Sequence, residues 1–230
     1  MSETSDVVRR AAAYPYERPS RPFAQLGHRT MDPEEVGIDP EERIPLLAYG
    51  SNAAPRVLAR KLALSHDPVL VVPATLHGFD VVYSAHISPY GAIPATLQRS
   101  PGTAVEVHVV YMTEAQIELI TATEPNYEPA LVQDVECRLD GGDVLTELTA
   151  YLSRHGCLLL DGSEAALAAV PASARTLPEL VETEALERVR ALTAPDEDIE
   201  SFVLANVVDP VLARERSGFL SRRPAPSFHP

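Results

Sequence analysis

The segment Leu46-Leu47-Ala48-Tyr49-Gly50-Ser51-Asn52-Ala53-Ala54-Pro55 starts as an apolar strand, breaks at a glycine and within four residues takes on the look of a helix start. A strand that ends on an aromatic, turns through Gly-Ser-Asn and feeds a helix gathers several backbone N–H groups in one concave loop. Such a loop binds anions, because unpaired donors and the positive helix end point the same way. Gly50 permits either close approach of the chain or a positive φ. Ser51 and Asn52 bring side-chain hydrogen bonds, directed at a ligand or at the backbone itself, since both residue types also cap helices. The tetrapeptide alone therefore fits two readings, an anion cradle and a structural turn.

The elements that must hold this loop are legible from period and punctuation. Seven short β-branched runs, at 44–49, 69–76, 79–85, 92–97, 104–112, 131–139 and 144–153, are bounded by Gly, Pro, Asp or Ser and predict a curled sheet or small barrel. Asp140-Gly141-Gly142-Asp143 is a hairpin turn signal between the last two. A helix is expected over about 53–64, with Pro55 tolerated in its first turn. A second follows Thr113, where Gln116 completes a capping box and Pro125 acts as a stop. After Gly156 the pattern turns helical. Thr176, Pro178 and Glu179 read as a further helix start, and a break is expected at Asp209-Pro210. The acidic run 194–200 suits a helix N-terminus.

Residues 1–43 mix five prolines with nine acidic and six basic side chains and show no sustained period. They read as an irregular or disordered arm. The expected layout is thus an arm over 1–43, a strand-rich core over 44–155 and a C-terminal helical extension over 156–230.

Taken in order, Tyr49-Gly50-Ser51-Asn52 after an early apolar strand, then the run IPATLQRSPGTAVEVHVVYMTEAQIELITATEPNY, resembles the gamma-glutamylcyclotransferase-like family. The resemblance covers about residues 44–155. It implies a mixed α+β fold with a small barrel-like core of gamma-glutamylcyclotransferase type. It also matches Glu124 to the family's catalytic acid/base, at the end of the helix that follows Thr113. The surroundings depart from the family pattern. Ile120 and Thr121 stand where leucine and aspartate are usual, Pro125 where glycine is, His108 replaces a strand glycine, and Ala53 follows the tetrapeptide in place of the commoner leucine.

The implied reaction asks little of a protein. The free α-amine of a γ-glutamyl compound attacks its own γ-carbonyl, closing 5-oxoproline and expelling an amine. Attack geometry, a base for the amine proton and donors for the carboxylate and developing oxyanion suffice. The N–H groups of Gly50, Ser51, Asn52 and Ala53 are the expected donors and Glu124 the expected proton carrier. A carboxylate in the last turn of a helix faces the negative end of the dipole, which favours its protonated form. Tyr49 is expected to line the pocket, and Asn126 and Tyr127 to reach the same cleft. The resemblance implies no cofactor.

Other chemistry is weakly signalled. His66, His77, His86, His108 and His155 lack ligand spacing, so no metal site is expected. No Gly-x-Ser-x-Gly occurs to support a serine nucleophile. Cys137 and Cys157 show no CxxC spacing and fit reduced thiols in a cytoplasm. A net charge of −14 argues against nucleic acid, and no run is long enough for a membrane helix. The expected partner is a small molecule carrying a carboxylate, and a homo-oligomer is compatible with the sequence. Lys61 is the only lysine, to which the sequence attaches no role. Two other functions stay open: a non-catalytic anion-binding module on the same fold, and an interaction scaffold using the C-terminal helices.

Overall fold

A computed structural model describes residues 3–222 and Phe228. The ends of the expected arm and extension, residues 1–2, 223–227 and 229–230, lie outside the described residues. In chain order the elements begin with α1 (Glu3–Ala12), β1 (Phe23–Leu26), β2 (Arg29–Met31), β3 (Ile44–Ala48), α2 (Pro55–Lys61), β4 (Val69–Tyr83) and β5 (Ala95–Met112). They continue with α3 (Glu114–Ala122), β6 (Tyr127–Leu139), β7 (Val144–Ser153), α4 (Glu182–Thr193), α5 (Ile199–Val208) and α6 (Pro210–Ser221), with five two-residue strands between 159 and 180.

Five strands close on themselves. β5 pairs with β3, β3 with β7, β7 with β6, β6 with β4, and β4 returns to β5. All of these pairings are antiparallel except β3–β7. The fold is therefore mixed α+β around a closed barrel. Strand β3 explains why its sequence is continuously apolar. Successive side chains point to opposite faces, and both faces are covered. Leu47 belongs to the main core with Val107, Val109, Leu148 and Ala150. Leu46 and Ala48 belong to a second cluster with Leu58 and Leu62 by α2, Ile120 of α3, and Val110 and Met112.

Two expected strand breaks are bulges. Runs 69–76 and 79–85 fuse in β4 through Gly78 at φ +78°, and runs 92–97 and 104–112 fuse in β5. The pairing jumps from His77↔Ala104 to Phe79↔Arg99, so Ser100-Pro101-Gly102-Thr103 loops out opposite Gly78. A bulge bends a long strand without ending it, and this one lets two strands of 15 and 18 residues wrap the barrel. The 140–143 turn joins β6 to β7, with the Leu139 N–H donating to the Asp143 carbonyl at 2.8 Å.

The expected irregular arm is largely ordered. It holds α1, the β1–β2 hairpin docked on β4, and two 3-10 turns, with Ala11, Tyr14 and Phe23 buried. The helix start expected at Thr176 is also corrected. Glu179–Leu180 pairs in parallel with Ala166–Leu167, so α4 begins only at Glu182. Strand pairing overrides a local capping pattern there. The break at Asp209-Pro210 is present, Asp209 ending α5 and capping α6.

Candidate functional site

The corner after β3 is built tightly. The Tyr49 hydroxyl donates to the Tyr151 carbonyl across the β3–β7 pair. Gly50 sits at φ −115°, so its value is space, not a left-handed backbone. A Cβ there would lie 2.6 Å from the Tyr14 hydroxyl of the N-terminal segment. Ser51–Ala53 then forms a 3-10 turn with no side-chain cap, and α2 starts at Pro55. This corrects the expected helix over 53–64. The loop does not feed an α-helix directly, so the helix-end contribution to an anion cradle falls away. What remains are the first N–H groups of the 3-10 turn, at Gly50, Ser51 and Asn52, which have no acceptor within the turn.

Glu124 approaches from the other side. The capping box of Thr113 and Gln116 starts α3 as expected, and the helix ends at Ala122 with Thr123 as its cap. Glu124 therefore lies just past the helix. Its N–H donates to the Thr121 carbonyl at 3.0 Å, and its own carbonyl accepts from the Tyr127 N–H at 3.0 Å. Two hydrogen bonds thus fix the backbone that carries the carboxylate.

The two pieces meet. Asn52 Nδ2 donates to Glu124 Oε1 at 2.9 Å. Lys61, in the last turn of α2, donates from Nζ to Glu124 Oε1 at 2.5 Å and to Asn52 Oδ1 at 2.8 Å. The result is a closed three-membered ring of amide, ammonium and carboxylate, with side-chain exposure of 9% for Lys61 and 15% for Glu124. Burial pulls the Lys61 ammonium below the ordinary lysine range, against the opposing pull of Glu124 beside it.

This ring lies on the wall of a cavity of about 450 Å3. Of the residues singled out from sequence, Tyr49, Gly50, Ser51, Asn52, Asn126, Tyr127 and Glu124 line it. Ala53 does not. It is fully buried in the cluster under α2, because the 3-10 turn carries it inward. His108 is also off the cavity, its Nε2 within 2.9 Å of the Pro19 carbonyl oxygen.

Several lining residues had no signal in the sequence. Arg10 and Tyr14 arrive from the N-terminal segment, Arg60 and Lys61 from α2, and His86 and Tyr90 from the connection after β4. Ala95 anchors two of the rings, its N–H donating to the Tyr14 hydroxyl at 2.9 Å and its carbonyl accepting from Tyr127 at 2.8 Å. Burial raises the pKa of Tyr14, Tyr49, Tyr90 and Tyr127, so these hydroxyls stay protonated. The arrangement offers one carboxylate, one ammonium and a set of free amide donors in an aromatic-walled cavity. That set can hold a small carboxylate and move a proton.

No protein-family model and no curated protein matches the chain. Among solved structures, the chain is similar to a gamma-glutamyl cyclotransferase at 16% identity, with 78% of this chain and 88% of that one covered and a TM-score of 0.37. It is similar to an uncharacterized protein from Homo sapiens at 16% identity over the same shares, with a TM-score of 0.39. An Arabidopsis thaliana protein known from a solution structure is 21% identical, with 49% of this chain and 70% of that chain covered and a TM-score of 0.38. Likenesses this slight leave the functional reading to the residues of the site.

Proposed function

We propose that the chain is an enzyme of the gamma-glutamylcyclotransferase kind, releasing 5-oxoproline from a small γ-glutamyl amine or peptide. One observation carries this reading: a loop of free amides and a glutamate 72 positions further along the chain are joined by a hydrogen bond on the wall of one cavity. Gly50, Ser51 and Asn52 hold the substrate carboxylate or developing oxyanion, while Tyr49 and Tyr127 confine the glutamyl chain in attack geometry. Glu124 takes the α-amine proton, and a proton is returned to the leaving nitrogen.

The test is to incubate the protein with a panel of γ-glutamyl amines and peptides and assay 5-oxoproline. Turnover by the wild-type protein and its loss in Glu124→Gln are the expected results. Absence of 5-oxoproline from every compound rejects the reading. One feature favours a second reading, a carboxylate-binding module: Glu124 already has an ammonium partner. Thermal stabilisation by γ-glutamyl compounds without product formation would establish that alternative.

A further inference from the structure

Lys61 is the chain's only lysine. Its ammonium carries three protons. Glu124 and Asn52 accept two of them, at 2.5 Å and 2.8 Å, and the residue lines the cavity. The amine and the carboxylate therefore both face the space a substrate would fill, and the amine keeps one donor uncommitted. A cation needed only to neutralise Glu124 would be served as well by arginine, which supplies 18 of the 19 basic residues and whose planar fork suits carboxylates. Lysine differs from arginine in being able to give up a proton.

We propose that Lys61 is the catalytic acid that protonates the leaving amine, with Glu124 acting only as the base; this inference rests on the cyclotransferase reading above. The neutral α-amine attacks the γ-carbonyl carbon, forming the ring N–C bond and passing its proton to the Glu124 carboxylate. The tetrahedral intermediate then collapses. The bond from carbon to the leaving nitrogen breaks, and that nitrogen takes a proton from the Lys61 ammonium. The neutral Lys61 amine recovers its proton from the Glu124 carboxylic acid through their existing hydrogen bond. 5-Oxoproline and a free amine leave, and both side chains return to their starting charges. The division of labour removes a geometric difficulty, because one carboxylate need not swing from the attacking nitrogen to the departing one. Asn52, bonded to both partners, is a positioning residue. Burial of Lys61 makes it a stronger acid than a lysine in water, closer to the operating pH.

The experiment compares two substrates in one variant. Lys61→Arg keeps a cation able to bond Glu124 but cannot donate its proton. A γ-glutamyl alkylamide has a leaving amine that must be protonated to depart, whereas γ-glutamyl p-nitroanilide expels a weakly basic amine that needs little help. In Lys61→Arg the alkylamide is expected to lose about 10²-fold or more in kcat and the anilide less than about threefold. An equal loss with both substrates in a protein that still unfolds cooperatively, or a loss below threefold with the alkylamide, overturns the proposal. Should the arginine prove too bulky for a stable fold, Lys61→Ala with added ethylammonium decides the matter. Saturable rescue confined to the alkylamide supports the acid role, and its absence overturns it. Failure of the wild-type protein to release 5-oxoproline from either substrate would instead overturn the parent reading.

Discussion

Two buried ion pairs in this molecule are built to opposite ends. Arg175 and Asp80 pack with side-chain exposures of 4% and 0%. The guanidinium donates from Nε to both Asp80 oxygens at 3.1 and 2.9 Å, from Nη2 to Oδ1 and to the Val170 carbonyl at 2.8 Å each, and from Nη1 to Glu179 at 2.8 Å. Four of its five N–H groups are committed to protein partners, and it lies off the cavity. The side chains of Lys61 and Glu124 bond only each other and Asn52 among the described residues, face a hollow, and leave an ammonium proton uncommitted. Bonds to several protein groups on three sides rigidify. Incomplete satisfaction beside a cavity leaves capacity for a substrate.

That contrast makes its largest prediction in two parts. Arg175→Met strands Asp80 in the core, so the expected loss of stability is about 3–5 kcal/mol, read as a shift in the urea midpoint. Turnover of the remaining folded protein should be unchanged. Glu124→Gln should do the reverse, lowering kcat by roughly 10²–10⁴-fold with a smaller shift in the urea midpoint than Arg175→Met, because the Lys61 ammonium can shed its proton when its partner is neutral and a guanidinium cannot. If Arg175→Met impairs turnover in folded protein, or if Glu124→Gln unfolds it, the division between a structural and a chemical pair fails.

The two pairs also differ in how visible they were. The tetrapeptide corner and Glu124 could be picked out because short-range signals flank them: a strand ending at Tyr49, and a capping box at Thr113 and Gln116 that places the helix end. Lys61 carried no such signal. It lies 63 residues from Glu124, and only its being the sole lysine set it apart. The same limit hid the role of the first 43 residues, since Tyr14 earns its place by bonding Ala95, 81 positions away. At Thr176 the local pattern was misleading, because Glu179 and Leu180 gain more from strand pairing than from a first helical turn. At Pro101-Gly102 the turn chemistry was real, but a bulge used it.

A third carboxyl sharpens the comparison by having no cation partner among the described residues. Glu182 is buried, with Oε1 accepting from the Ile93 N–H at 2.8 Å and Oε2 without a hydrogen-bond partner. Burial raises its pKa well above the ordinary 4.5. The folded protein therefore keeps a proton that the unfolded chain releases, so the contribution of Glu182 to stability is fully present below about pH 4.5 and is lost as pH rises through the folded-state pKa. The slope is up to about 1.4 kcal/mol per pH unit. His86 acts in the opposite sense. Burial, and then the neighbouring His155, depress its pKa below 6.5, so the unfolded chain binds the proton better and stability falls as pH drops below about 6.5. Urea midpoints measured across pH should fall on both sides. Glu182→Gln should remove the alkaline decline and leave the acid one, and an unchanged alkaline decline would assign it to another group.

The smallest expected effect concerns the rim. In a chain of net charge −14, the cavity is lined by Arg10, Arg60 and Lys61 against a single acid, Glu124. Arg10 and Arg60 are exposed, and neither has a carboxylate partner among the described residues. Arg10 instead lies 5.5 Å from the centre of the Tyr90 ring. An exposed charge contributes about 0.2–1 kcal/mol to an interaction and is screened by salt. Arg10→Ala and Arg60→Ala should therefore each raise KM for a γ-glutamyl amino acid by about 1.4- to fivefold, leave kcat unchanged, and have no effect on a γ-glutamyl alkylamide that lacks the second carboxylate. Raising ionic strength in the wild-type protein should mimic both variants. Equal KM increases for the two substrates would mean that these arginines shape the entrance through packing, and that the only charges acting on the substrate are those of the Lys61–Glu124 pair.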